Sequence, residues 1–374
     1  MRILYFSDNI SGHNHRFLTK LTATGHDVFF LNLSSGVADE GWLPEKVIHI
    51  DNETTFTQGS TPDSIKAFVQ EFRSMISRVH PDLIHAGPVQ SCGYITALSK
   101  FRPFVVMSWG SDLLVDSHQG AQWEHATREA LQYADGFVCD CDTVRDAASH
   151  YRDFTDGAIA QFPWGIEPGT FSPSGPLPTA KEMPFGPDTI RLICTRSWEP
   201  IYGMDVLMEA FLHAYSVEKR LRLLLLGDGS ERQVIQKFIN RHSLADVVLT
   251  PGRLPESDMP DWFRSASAYL SCAKSDGTSV SLLQAMAIGL PVLVTNIPAN
   301  REWVTEGQNG WLAANADDFA DKIIALSQLS SVRREAISRT NRRIVAARAD
   351  WNKNFPRLLH LYERLVRTKK MVLA

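Results

Sequence analysis

Short apolar runs alternate with longer amphipathic segments along almost the whole chain. The pattern predicts strands over residues 2–6, 27–31, 83–85, 104–108 and 136–139, with helices over 15–24, 64–79, 91–100 and 121–133 between them. Buried runs separated by helices of this length are the rhythm of a parallel sheet covered on its faces. The rhythm breaks between residues 171 and 187, where Pro173, Pro176, Pro178, Pro184 and Pro187 cluster with Gly175 and Gly186, just after Pro168 and Gly169. Residues without an N–H or without a Cβ defeat both periodicities, which predicts an interdomain linker. The rhythm then restarts, with strands over 191–194, 222–226, 247–249, 268–272 and 291–294 and helices over 204–215 and 231–241. The expected architecture is α/β, with one Rossmann-like domain over 1–170, a linker over 171–188, a second such domain over 189–350 and a helical tail over 351–374. A cleft between two such domains is a natural place for a small ligand.

Composition narrows the partners. The 374 residues exceed one ordinary core, and 44% hydrophobic with 21% charged content is that of a globular chain. A net charge of -4 gives no overall pull towards nucleic acid, and no aromatic–basic interleaving points to one. The N-terminal apolar run turns polar at Ser7 and Asp8, so it is expected to be a strand and not a signal peptide. No run of about 18 apolar residues is present to cross a bilayer. Cys92, Cys139, Cys141, Cys194 and Cys272 are odd in number and mostly lie in apolar runs, as expected of reduced thiols in a cytoplasmic protein. Arg333, Arg334, Arg339, Arg342, Arg343 and Arg348 crowd one helical stretch, and Arg364, Arg367, Lys369 and Lys370 crowd the tail. A solvated face and a weak peripheral contact with anionic lipid, at the inner membrane face, both fit them.

The stretch 275–291 carries the most chemistry. It follows a predicted strand, opens with a loop holding Gly277, and enters a helix near Ser279 that Gly289 and Pro291 should stop. Free backbone N–H groups at such a helix start suit a phosphate or a polarised hydroxyl. Asp276 lies in the loop and Gln284 about a turn into the helix, so both can face a ligand. An N-cap role for Asp276 or Ser279, with Gln284 merely solvated, is the plainer reading.

This stretch resembles the signature of glycosyltransferase family 4, retaining enzymes of the GT-B fold. Members carry two glutamates separated by seven residues, then Ala-Met-Ala, a small residue, Gly and Pro. Ala285-Met286-Ala287-Ile288-Gly289-Leu290-Pro291 reproduces the tail, while Asp276 and Gln284 replace the two acids. The resemblance implies that Asp276 faces the donor sugar and that Gln284 bonds the nucleotide ribose, without the strength of a charged acceptor. It further implies that Arg196 neutralises the donor diphosphate, with Tyr202 where relatives have a lysine. A surface ion pair is the plainer role for Arg196. Gly227 closes a Gly-rich turn, Arg253 and Leu254 belong to the segment beside the base, and Gly12, Gly277, Thr278, Ser279 and Val280 approach the phosphates. Ser108-Trp109-Gly110-Ser111-Asp112 resembles the family's His-Gly-x-Asp motif with Trp109 for the histidine. Asp112 and Trp109, with His13, then fall on the acceptor side, although a capping role for Asp112 fits equally. The family also returns its C-terminal helix to the N-terminal domain.

The expected reaction is transfer of a sugar, with retained configuration, from a nucleoside diphosphate sugar (uridine diphosphate being the expected carrier) to a hydroxyl. The acceptor is a glycan, a lipid-linked or a small-molecule hydroxyl, in bacterial-type glycan, polysaccharide or glycolipid synthesis. No cofactor or metal is expected. Asp140-Cys141-Asp142 matches the Asp-x-Asp of metal-dependent transferases, but Asp142 also suits the N-cap of the following helix. A sugar-nucleotide-binding pseudoenzyme is the alternative function, because Asp276, Gln284 and Tyr202 all weaken the usual polar set.

Overall fold

A computed structural model of the protein describes residues 1–34, 41–52, 61–167, 169–179 and 181–373. The chain divides into two compact units, Met1–Phe162 with Phe355–Ala374, and Pro163–Asn354.

The first unit is built on seven parallel strands: β1 (Arg2–Ser7), β2 (Asp27–Asn32), β3 (Val47–Ile50), β4 (Leu83–Gly87), β5 (Phe104–Met107), β6 (Gly136–Cys139) and β7 (Ile159–Gln161). Their order is β3-β2-β1-β4-β5-β6-β7. Ile3, Leu4, Tyr5 and Phe6 are all fully buried, because a central parallel strand is covered on both faces and its sequence cannot alternate. Helix Pro62–Val79 lays Phe68, Phe72 and Met75 on the sheet, with the Phe72 ring 4.9 Å from that of Phe6. Strands β3 and β7 escaped the sequence pattern. Val47–Ile50 exposes its middle residues, and Ile159–Gln161 is a three-residue edge.

Helix Pro356–Leu373 packs on β6 and β7 of this unit. Leu361 and Leu365 lie where any side chain at Gly136 would project. Tyr362 is buried and its hydroxyl is hydrogen-bonded to Nδ1 of His85 on β4. Burial pushes His85 down to about 3, so a neutral imidazole fastens the last helix to the sheet.

The second unit has six parallel strands: β8 (Ile190–Cys194), β9 (Leu221–Leu226), β10 (Val248–Gly252), β11 (Ala268–Ser271), β12 (Val292–Thr295) and β13 (Gly310–Ala313). Their order is β10-β9-β8-β11-β12-β13. The Pro-rich stretch expected as a linker belongs to this unit. Phe171 and Met183 are buried in its core, and Arg264 donates to the carbonyl oxygens of Ser172 (2.9 Å) and Pro176 (3.0 Å). One arginine thus ties one serine and one proline carbonyl of the stretch to the unit. Pro168 lies outside the described residues.

Both sheets reverse their strand order once, between β1 and β4 in the first and between β8 and β11 in the second. Connections leave such a point in opposite directions and open a crevice beyond the strand C-termini, the usual ligand position in open α/β sheets.

Part of the basic cluster has structural work. Arg334 donates to the carbonyls of Ser267, Leu326 and Leu329, Arg348 lies over the Trp303 ring at 4.2 Å, and Lys369 over Phe101 at 4.9 Å. Arg342 and Arg343 remain exposed on helix Ser331–Arg348. No helix among the described residues is long and apolar enough to cross a membrane.

Candidate functional site

The reversal point of the second sheet brings the sequence-predicted residues together. Beyond β11 the chain passes Asp276, Gly277 and Thr278 and enters helix Val280–Ile288, with Ser279 as its N-cap accepting from the Leu282 N–H at 3.4 Å. Gly289, at φ 92°, ends the helix in the left-handed region that a Cβ would disfavour. Its N-terminal N–H groups are thereby left at the sheet's C-terminal edge.

Arg196 follows the neighbouring strand β8 and crosses to the same place. Its Nη2 lies 2.9 Å from Asp276 Oδ2, and its Nη1 donates to Ser279 Oγ at 2.7 Å. Its guanidinium carbon sits 4.0 Å from the centre of the Tyr202 ring. The two charged side chains are only 10% and 17% exposed. Ser279 and Ser281 hydroxyls are 3.1 Å apart, and Ser281 continues the network to the Tyr269 hydroxyl at 2.7 Å. Burial works most strongly against the Arg196 charge, but Asp276 together with Tyr202, Tyr269 and Cys194 more than offsets it, so the guanidinium stays ionised. Burial pushes the Asp276 carboxyl up, and Arg196 pulls it back only in part. Tyr269, pushed up to about 12 by burial, remains a neutral hydroxyl. The result is a charged pair held in poor solvent by a ring, two hydroxyls and a helix end.

Glycines make the approach possible. A Cβ on Gly203, at φ 63°, would overlap the carbonyl oxygen of Cys272, and one on Gly227 would stand 2.6 Å from the Arg196 carbonyl oxygen. Trp198 lies beside Gly227 and is itself 3% exposed. Its backbone N–H donates to Asp228 O at 3.0 Å, and its carbonyl accepts from Glu231 N at 2.9 Å. Gly227 therefore spaces the Arg196 loop by packing, a role its Gly-Asp-Gly turn alone did not reveal.

The other predicted residues of this unit occupy graded positions. Gly277, Thr278 and Ser279 are buried beside the pair, while Val280 and Gln284 are partly exposed on the helix. Tyr202 ends a short helical turn, Pro200–Tyr202, and presents its ring to Arg196. Leu254 packs on the core and Arg253 is exposed, just past β10.

The first unit has its own constellation at the β1/β4 reversal. Gly12 is the first residue of helix Gly12–Ala23, which starts three residues before the expected 15–24 because the Ser11 hydroxyl caps Asn14 N. His13 stacks on Trp109, ring centroids 6.0 Å apart. Asp112 is buried and accepts from Ser108 Oγ (2.5 Å), Gly110 N (3.1 Å), Leu113 N (3.0 Å) and Val89 N (3.0 Å). Those bonds hold the β4 and β5 loops and occupy both carboxylate oxygens, which matches the capping reading better than a substrate contact. Asp142 is the first residue of helix Asp142–Ser149 and not its N-cap, which is Cys141. Its carboxylate pairs with Arg145 at 2.9 Å and accepts from Gln161 at 2.8 Å.

Asp8, one residue beyond β1, was missed by sequence reasoning. Burial, and then the Asp112 charge, raise it to about 6. It accepts from Asn9 Nδ2 at 2.9 Å and distantly from Ser91 Oγ at 3.5 Å. An aspartate in the first βα loop was the available signal, but its neighbour Asp112 is distant in sequence.

Comparison with known proteins follows the same two halves. Residues 2–140 match the family model "Glycosyl transferase 4-like", and residues 189–328 match "Glycosyl transferases group 1". The chain belongs to the GT4-like glycosyltransferases of the GT-B fold. Within this family it is similar to an alpha-monoglucosyldiacylglycerol synthase of Streptococcus pneumoniae, 23% identical over 208 residues that make up 54% of this chain and 46% of that one. A D-inositol 3-phosphate glycosyltransferase of Pseudarthrobacter chlorophenolicus is 28% identical over 190 residues, 48% of this chain and 44% of that one. The match thus spans less than half the length of either relative. Among solved structures, Anabaena HepE in complex with UDP and glucose superposes at a TM-score of 0.79 with 15% identity, covering 98% of this chain and 100% of that one. Sucrose-phosphate synthase from Thermosynechococcus elongatus gives 0.80 and 14%, with 98% and 100% coverage. At such identities the structures establish the GT-B fold of this family member.

Proposed function

We propose that the protein transfers a sugar from a uridine diphosphate sugar to a hydroxyl acceptor with retained configuration. The single observation that carries this reading is the convergence of Arg196, Asp276 and the Ser279-capped helix at the sheet's reversal point. A departing diphosphate needs fixed positive charge and oriented N–H donors where its charge develops, and this place offers both. Arg196 would neutralise the phosphates, the N–H groups near Thr278 and Ser279 would bind their oxygens, and Asp276 would hold the sugar. Gln284 would bond the ribose, and Arg253 and Leu254 would border the base. The leaving phosphate would itself accept the acceptor proton, so the scheme asks for neither a protein base nor a metal ion.

The acceptor is assigned to the loops around His13 and Trp109, where Asp8 adds a carboxyl raised to about 6. The similar proteins named above include one that glucosylates a diacylglycerol and one that acts on inositol phosphate, and a glycan or lipid-linked hydroxyl is the class proposed here. A cytoplasmic enzyme touching a membrane weakly would present the exposed Arg342 and Arg343 among its basic residues. The pseudoenzyme reading keeps one observation in its favour, namely that Arg196 is already neutralised by Asp276.

A thermal-shift screen against uridine, guanosine and adenosine diphosphate sugars tests the donor assignment, followed by product analysis with acceptor extracts. Stabilisation by a uridine diphosphate sugar and transfer with retention are expected. Stabilisation without transfer to any acceptor supports the pseudoenzyme, and no stabilisation by any of the three removes the donor site.

A further inference from the structure

The contact between Arg196 and Asp276 has an unusual character. The charges are 2.9 Å apart and nearly buried, yet Asp276 Oδ2 accepts no properly directed hydrogen bond, and Arg196 Nε also has no partner. Charge, and not directed bonding, holds the two together. The guanidinium is otherwise well seated, on Tyr202 and against Ser279. Asp276, in a loop before the helix cap, is thus the more weakly tied of the two partners.

On the reading that a diphosphate binds Arg196, an incoming diphosphate and Asp276 compete for one guanidinium. The outcome differs between an intact donor and a free nucleoside diphosphate. Both take Arg196 from the carboxylate. Only the intact donor brings sugar hydroxyls that can donate to the carboxylate in return. A free nucleoside diphosphate leaves a buried carboxylate with no counter-charge and only the Gly277 N–H as a donor, an arrangement that is unfavourable. Asp276 already pairs with the guanidinium that a diphosphate would need.

We infer that Asp276 is a specificity-determining residue that competes with diphosphate for Arg196, so that the site prefers a sugar nucleotide to the nucleoside diphosphate it releases. The residue thereby favours departure of the product and limits product inhibition. Tyr202 strengthens the effect, since no lysine stands in its place to offer the diphosphate a second cation.

The test is a calorimetric titration of the full chain and of Asp276→Asn with uridine, guanosine and adenosine diphosphates, inorganic pyrophosphate and the matching sugar nucleotides. Asn keeps the size and can still accept from a sugar hydroxyl, but it cannot neutralise Arg196. Nucleoside diphosphate and pyrophosphate are expected to bind Asp276→Asn about tenfold more tightly than they bind the parent chain. The ratio of sugar-nucleotide to diphosphate affinity should fall by a similar factor. Asp276→Ser, which removes the charge with less bulk, should show the same gain if Asn perturbs the loop. Equal or weaker diphosphate binding by both variants, with parent-like unfolding temperatures, overturns the inference and leaves the donor site standing. Failure of every chain to bind any diphosphate overturns the inference and the donor site together.

Discussion

Replacing Arg196 by methionine removes the guanidinium while roughly keeping the length of the side chain, and it strands Asp276 in a site only 17% exposed. Two unit charges 2.9 Å apart attract by about 6 kcal/mol at an effective dielectric constant of ~20. Desolvation of both ions offsets most of that, and breaking a buried pair from one side typically costs about 3–5 kcal/mol. The stacking on Tyr202 at 4.0 Å adds about 1–2 kcal/mol to the loss. Asp276→Asn should cost less, since Gly277 and the loop retain an acceptor of the same shape. In the double variant neither charge remains stranded. A coupling energy of about 1–3 kcal/mol is therefore expected from the cycle of Arg196→Met, Asp276→Asn and both together. Because the chain has two compact units, a single unfolding midpoint would mix their stabilities. Hydrogen exchange of backbone amides in β8, β11 and helix Val280–Ile288 reads the second unit by itself. Single-variant effects that add to within about 0.5 kcal/mol would refute the coupling.

Two other positions give sharp expectations. Gly203→Ala must place a Cβ against the Cys272 carbonyl at φ 63°, whereas Gly25→Ala, at φ 76°, meets nothing within 4 Å. The first should destabilise by at least about 2 kcal/mol more than the second in chemical denaturation, and equal costs would contradict the packing described. Asp8, at about 6 against an ordinary 3.8, binds its proton more readily folded than unfolded. Stability from this group is thus present at low pH and lost as pH rises through the window from about 4 to about 6, by up to about 3 kcal/mol. Asp8→Asn should accordingly melt higher than the parent at pH above about 7 and lose that advantage below about 4; an advantage independent of pH would refute the assignment.

Much of this molecule was legible before its structure. Continuous apolar runs such as Ile3–Leu4–Tyr5–Phe6 announce central parallel strands, since both faces of such a strand are covered. Ser279 and Gly289 bounded the signature helix correctly because capping is local chemistry. What escaped depends on tertiary neighbours. Residues 171–188 looked like a linker because prolines erase periodicity, yet Arg264 binds the Ser172 and Pro176 carbonyls and Phe171 fills the core. For Asp112 a ligand contact and a capping role fitted the sequence equally, and only the fold brings the four donors that match the second. The ion pair of Arg196 with Asp276 joins residues from two different strand ends, and no spacing rule links them.

The most direct test of the account is an experimental structure with a uridine diphosphate sugar bound. The account predicts phosphate oxygens within hydrogen-bond distance of Arg196 and of backbone N–H groups at Thr278 and Ser279, with the Arg196–Asp276 pair opened and Asp276 on a sugar hydroxyl. A nucleotide bound away from Arg196, with that pair still closed, would contradict it.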